Sequence, residues 1–118
     1  MSRKPPPRME LLQGTLDLLI LRTLLNGPTH GHAIAKHIQR TSEELLQVET
    51  GSLYPALHRL EAKGWIAARW QLSDKGKRAR YYRLTALGRS QLAAERSKWQ
   101  ALARAVGLIL NPAGQEGQ

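Results

Sequence analysis

Apolar residues recur with a helical period up to about residue 64, alternate singly from 65 to 84, and then return to a helical period. That order calls for three helices, one hairpin and a last helix. The first helix runs from about Leu11 or Thr15 to Leu25, with Leu16, Leu19, Ile20 and Leu24 on one stripe. Leu18, Leu21 and Leu25 widen this stripe beyond half the circumference, more than a surface helix of a small domain needs. The helix is therefore expected to be central or shared with another subunit. Asn26-Gly27-Pro28 ends it, because glycine suits a left-handed cap and proline cannot continue the helix. A second helix is expected from about His30 to Arg40, with Ala33, Ile34 and Ile38 on one face. The segment 43–47 is polar and ambiguous, and Val48 is a candidate start of a very short strand.

The third helix is read as Ser52 to Lys63, with Leu53, Leu57 and Leu60 facing the core together. Ser52 or Gly51 is expected to cap it, since Pro55 then falls in the first turn, where amides have no helical partner. Gly64 ends it. Ile66, Ala68, Trp70 and Leu72 share one face of a strand, Arg78 to Leu84 forms a second, and residues 73–77 (Ser-Asp-Lys-Gly-Lys) make the turn. Thr85 caps a helix from about Ala86 to Leu110, roughly 37 Å long if unbroken. The expected fold is mainly α with a small β-hairpin: a winged helix-turn-helix followed by a long C-terminal dimerisation helix. Residues 1–9, with three prolines and three basic residues, are expected to form a flexible arm, 10–84 the winged helix-turn-helix, 85–110 the dimerisation helix, and 111–118 a flexible tail.

Charge narrows the partners. The 118 residues hold 18 Lys and Arg against 9 Asp and Glu, a net charge of +9. Such an excess attracts polyanions, with nucleic acid the commonest and an anionic membrane surface the rival. No cysteine is present, which excludes disulfides, thiolate metal sites and a cysteine nucleophile. No apolar run reaches the length of a membrane span, and proline stands where a signal peptide needs an apolar stretch. A cytoplasmic location is expected.

With its leucines inward, the third helix points Ser52, Pro55, His58, Arg59 and Ala62 outward. Small side chains at its N-terminal end permit close approach to a major groove, and free backbone amides there suit a phosphate. Arg59 can reach a guanine edge or a phosphate, His58 can donate to either, Tyr54 lies at the flank and Lys63 at the far end. A merely solvated face is the competing reading. The hairpin weighs against it: Arg69, Lys75, Lys77, Arg78, Arg80 and Arg83 stand against one acid, Asp74. Positions 78 and 80 share a strand face, an unfavourable pairing unless an anion lies opposite. Double-stranded DNA is the expected partner, bound through Ser52, Tyr54, Pro55, His58, Arg59, Lys63, Lys75, Lys77, Arg78 and Arg80. The alternative is a basic module that binds RNA or a protein.

Along the last helix Leu92, Trp99 and Val106 recur at sevens, with Leu102 and Ile109 at the other heptad position and Glu95 breaking the pattern. This seam is expected to form a homodimer. Trp99 is also a candidate wall of a pocket for an aromatic or drug-like effector, against the plainer role of a seam residue. His30, His32 and His37 do not converge on one helical face as a metal site requires. No metal, cofactor or catalytic residue is expected, and no enzyme.

Certain residues carry a family resemblance. They are Leu16-Asp17-Leu18-Leu19-Ile20-Leu21, Gly27-Pro28, Gly31, above all residues 50–61 (Thr-Gly-Ser-Leu-Tyr-Pro-Ala-Leu-His-Arg-Leu-Glu), then Arg80-Tyr81-Tyr82-Arg83-Leu84-Thr85 and Gly88. Over about residues 10–110 the chain resembles the PadR family of bacterial transcriptional regulators, in its short branch with a single C-terminal helix. The resemblance implies a homodimeric winged helix-turn-helix that represses detoxification or efflux genes and is released by small molecules. It implies DNA-facing roles for Ser52, Tyr54, Pro55 and His58, and places Trp99 in the helix that carries a ligand-stacking tryptophan in the drug-sensing branch. The chain departs at His30 and His32, where many members carry aromatic or tyrosine side chains.

Overall fold

The computed structural model describes residues 13–112. The expected arm and most of the expected tail lie outside them. Seven elements follow in order: α1 (Gln13–Leu24), β1 (Thr29–His30), α2 (Gly31–Thr41), α3 (Thr50–Ala62), β2 (Ile66–Leu72), β3 (Arg78–Leu84) and α4 (Ala86–Leu110). They form a winged helix-turn-helix with a long C-terminal helix.

The unusually wide apolar stripe of α1 is explained by its position. It packs against α2, α3, β3 and α4, and Leu16, Ile20, Leu21 and Leu24 are all buried. Buried Thr23 stays satisfied because its hydroxyl donates to the Leu19 carbonyl at 2.8 Å. Ile34 and Ile38 from α2, Leu53, Ala56, Leu57 and Leu60 from α3, and Ile66 and Tyr82 from the hairpin complete the core. Leu92 of α4 belongs to that core too, 6% exposed. It is therefore corrected from a dimer contact to an intramolecular anchor, because the first turns of α4 lie on their own domain.

Three local expectations change. The sheet has a third strand: β1 pairs antiparallel with β3, Thr29 opposite Tyr82 and His30 opposite Tyr81. Val48 opens no strand; it packs half-buried against the core, after a turn in which Glu43 and Glu44 take left-handed φ of 55° and 68°. Ser42 braces this turn, its Oγ accepting from the Leu46 amide at 3.0 Å. Finally, α3 starts earlier than Ser52. Glu49 is its N-cap, with no side-chain cap bond, and its carbonyl accepts from the amides of Ser52 and Leu53. Pro55 therefore lies inside the helix rather than in its first turn, and the Gly51 carbonyl loses its helical donor.

Where α3 ends, Gly64 takes φ +77° and the chain turns into β2. β2 and β3 pair in continuous register from Ile66–Leu84 to Leu72–Arg78. Their turn closes through Ser73 and Lys77, with Gly76 at φ +76°. Thr85 caps α4 as expected, accepting from the Gly88 amide at 3.0 Å. Its hydroxyl also lies within donating distance of the carbonyl oxygens of Gly64 and Trp65, Oγ1 standing 2.7 and 2.9 Å from them. The helix start is thereby tied to the α3–β2 corner.

Candidate nucleic-acid interface

The outward side of α3 and the inner face of the hairpin enclose a cleft of about 810 Å³. Burial of Leu53, Leu57 and Leu60 sets the rotation of α3, which leaves Ser52, Pro55, His58, Ala62 and Lys63 exposed. His58 and Tyr54 line the cleft from the helix; Lys75, Lys77, Arg78 and Arg80, with the single acid Asp74, line it from the hairpin. Tyr54 is positioned by Gly31, whose Cα it overlies so closely that a Cβ there would stand 2.9 Å from the phenol oxygen. Ser52, Pro55, Arg59 and Lys63 fall outside the cleft lining. The first two sit on the exposed N-terminal turns, and the Lys63 ammonium lies 4.6 Å from the centroid of the Trp65 ring.

Two arginines are turned inward. Arg59 Nη2 donates to Asp17 Oδ1 at 3.1 Å, tying α3 to α1. Arg80 Nη2 donates to Glu61 Oε2 at 2.6 Å, tying the wing to α3. The Nε atoms of both are buried and without a partner. Arg59 thus points to the core side of α3 instead of serving as its outward donor. The anion opposite the 78/80 face is, for Arg80, the protein's own Glu61. Arg78 instead lies over the Trp70 ring, 5.2 Å from its centroid.

Residues not foreseen in this cleft are His30, His32, Trp70 and Tyr81. His30 caps α2, its Nδ1 accepting from the Ala33 amide at 3.2 Å, which leaves Nε2 to carry the ring proton. It also meets Tyr81 edge-on at 5.4 Å and stacks on His32 at 6.4 Å. The signal for the two histidines was the His-Gly-His run at the start of a helix. Among the described residues no three His, Cys, Asp or Glu side chains converge on a metal position, and no helix is long and apolar enough to cross a membrane.

Burial pushes the Asp17 carboxyl above the usual value of 3.8, and the charge and hydrogen bond of Arg59 only partly oppose it. The attraction is weakened because the Arg59 side chain is 33% exposed while Asp17 is 10% exposed. A raised folded-state pKa means that the folded state holds the proton more tightly. The associated stability is full below 3.8 and is lost as pH rises through the folded-state pKa. Asp17→Asn keeps an acceptor for Arg59 and never ionises. Its stability relative to the parent is expected to climb with pH over that window and to match or exceed the parent at neutral pH. Urea melts across the pH range check this; an Asn variant markedly weaker at neutral pH would show that the ion pair outweighs burial.

The second surface is on α4. From Trp99 onward Leu102, Val106, Leu108, Ile109 and Leu110 are exposed, Ile109 at 77%. A crevice of about 260 Å³ lies between α1 and α4, with Leu18, Trp99 and Leu102 in its walls.

Comparison with known proteins follows this geometry. The model of the transcriptional regulator PadR-like family matches residues 20–94. The chain belongs to the PadR-like family. It is similar to the transcriptional regulator Rv3488 of Mycobacterium tuberculosis, 34% identical over 97 residues that cover 82% of this chain and 87% of that one. A PadR family regulator from Eggerthella lenta is 32% identical, covers 85% of each chain and superposes with a TM-score of 0.72. A transcriptional regulator from Clostridium thermocellum is 29% identical with a TM-score of 0.74, over 80% of this chain and 92% of that one. As a PadR-like protein the chain falls among transcriptional regulators and not enzymes.

Proposed function

We propose that this PadR-like protein is a sequence-specific DNA-binding repressor that works as a homodimer on a palindromic operator. The observation that carries the reading is the cleft that sets His58 and Tyr54 of α3 against Lys75, Lys77 and Arg78 of the wing. A helix in the major groove and a basic ribbon in the next minor groove straddle one sugar–phosphate strand, so phosphates enter such a cleft. Ser52, Pro55 and His58 supply the surface facing the bases. Lys63 adds charge at the helix end, while Arg59 and Arg80 fix the parts to each other.

The bare α4 seam supports the dimer. Trp99, Leu102, Val106 and Ile109 leave an apolar stripe that a second α4 would cover. The crevice beside Trp99 is the place proposed for an aromatic or drug-like effector. Its 260 Å³ falls below the roughly 300 Å³ of small-ligand sites, so a second copy would have to enlarge and close it.

Selection of duplexes from a random pool by the purified protein tests the whole reading. The expected product is a two-fold sequence with half-sites about 34 Å apart, and light scattering is expected to give a dimer that Leu102→Asp with Ile109→Asp splits. Equal retention of RNA and duplex DNA, or a monomer at micromolar concentration, would overturn it.

A further inference from the structure

The inner face of the hairpin carries more apolar surface than its core uses. Residues opposite each other in an antiparallel pair share a face, so Ile66 goes with Leu84, Ala68 with Tyr82, Trp70 with Arg80 and Leu72 with Arg78. Ile66 and Tyr82 are buried at the base of this face. Further out, Trp70 is 54% exposed and Leu72 67%. Exposing an indole and a leucine side by side forgoes burial worth about 25 cal/mol per Å². They sit next to the densest cationic stretch of the chain, and the guanidinium of Arg78 lies over the Trp70 ring.

We propose that Trp70 and Leu72 form a non-ionic DNA contact, with Trp70 packing on a deoxyribose of the strand that occupies the cleft, Arg78 taking the adjoining phosphate, and Leu72 meeting the minor-groove wall. This rests on the DNA reading above. A backbone strand presents apolar sugars and anionic phosphates in alternation. The Trp70–Arg78 pair presents an apolar ring and a cation in the same alternation. Arg78 covers one ring face, so the indole cannot be sandwiched between two bases. Lys75 and Lys77 at the hairpin tip supply the complementary charge around the apolar pair.

The test is fluorescence anisotropy over a salt series with a labelled random-sequence duplex about three helical turns long. A random duplex suffices because a sugar contact needs no particular base. Trp70→Ala is expected to weaken binding roughly tenfold at every salt concentration, leaving the slope of log affinity against log salt as in the parent. Trp70→Phe, which keeps a ring beneath Arg78, is expected to recover most of the loss. Leu72→Ala is expected to weaken binding a few-fold with the same slope, whereas Lys75→Ala lowers the slope by about one. Thermal melts confirm that these exposed substitutions leave the fold intact. Unchanged affinity in both Trp70→Ala and Leu72→Ala overturns the proposal. So does a slope lower by about one in Trp70→Ala, which would make the ring a mere platform for Arg78. A parent protein that binds no duplex at low salt overturns the DNA reading itself, and with it this one. The parent titration shows that before any variant is compared.

Discussion

Alanine at Lys75, Lys77 and Arg78 together is expected to weaken binding to every duplex by about a hundredfold at moderate salt, with little change in sequence preference. All three side chains are exposed and line the cleft facing α3. Each phosphate they neutralise releases condensed counterions, so the salt slope is expected to fall by nearly three. The loss should shrink as salt rises, because the parent forfeits the same ionic contribution. Arg80 behaves differently. Its guanidinium is held by Glu61 at 2.6 Å, so Arg80→Ala is expected to loosen the wing against α3 while moving the slope less. Surface substitutions of this kind usually shift stability by no more than about 0.5 kcal/mol, which keeps the binding measurement interpretable. An unchanged affinity for the triple variant would remove the wing from the interface.

Gly88→Ala is expected to cost about 3 kcal/mol or more and to lower the melting temperature by on the order of 15 °C in a domain of this size. Gly88 is buried at the third position of α4. A Cβ there would overlap the Trp65 carbonyl oxygen and come within 2.8 Å of Leu84 Cδ1. That carbonyl already accepts from the Thr85 amide at 3.1 Å and lies 2.9 Å from the Thr85 hydroxyl. Neither side can yield cheaply, because the oxygen is backbone at the corner between α3 and β2. Relief would lift α4 off this corner and draw Leu92 out of the core. Gly51→Ala is the contrasting case. It lies in α3 with nothing beyond its own turn of backbone within 4 Å of an added Cβ, and alanine there is expected to stabilise by about 0.5–1 kcal/mol. Calorimetric melts of the two variants, run together, separate steric overlap from helix propensity; a Gly88 variant as stable as the Gly51 one would refute the first account.

The elements written in local pattern were legible beforehand. The leucines of α3, the alternation in β2 and β3, and Thr85 ahead of α4 each declare themselves within a few residues. What depended on distant partners did not. β1 is two residues long, too short for any alternation, and exists because β3 offers an open edge. The start of α3 was misplaced because Gly51 and Ser52 look like caps, whereas the carbonyl of Glu49 accepts the first amide bonds. Arg59 and Arg80 could be read as donors to DNA until their carboxylates were known, and those lie 42 and 19 positions away in sequence. Trp70 and Leu72 fit the core-facing phase of β2, and only their exposure in the folded chain shows that the core ends before them.

On the proposed reading, the contact of Arg59 with Asp17 limits how much a single copy can know about its target. With one guanidinium nitrogen of Arg59 held by Asp17, the surface proposed to face the bases is a serine hydroxyl, a proline ring, an imidazole and a phenol at its edge. Few bidentate base contacts are available from such a set, and those are the contacts that discriminate one base from another by about 1–3 kcal/mol each. Each half-site of the proposed operator would therefore carry little information. On the proposed dimeric reading a genome-scale search would be won by requiring two such weak words at a fixed distance, and by how readily the intervening duplex takes the required curvature. In the proposed dimer the ruler for this distance would be α4, so a change in its length would rewrite the address more thoroughly than a change in any one residue proposed to face the bases.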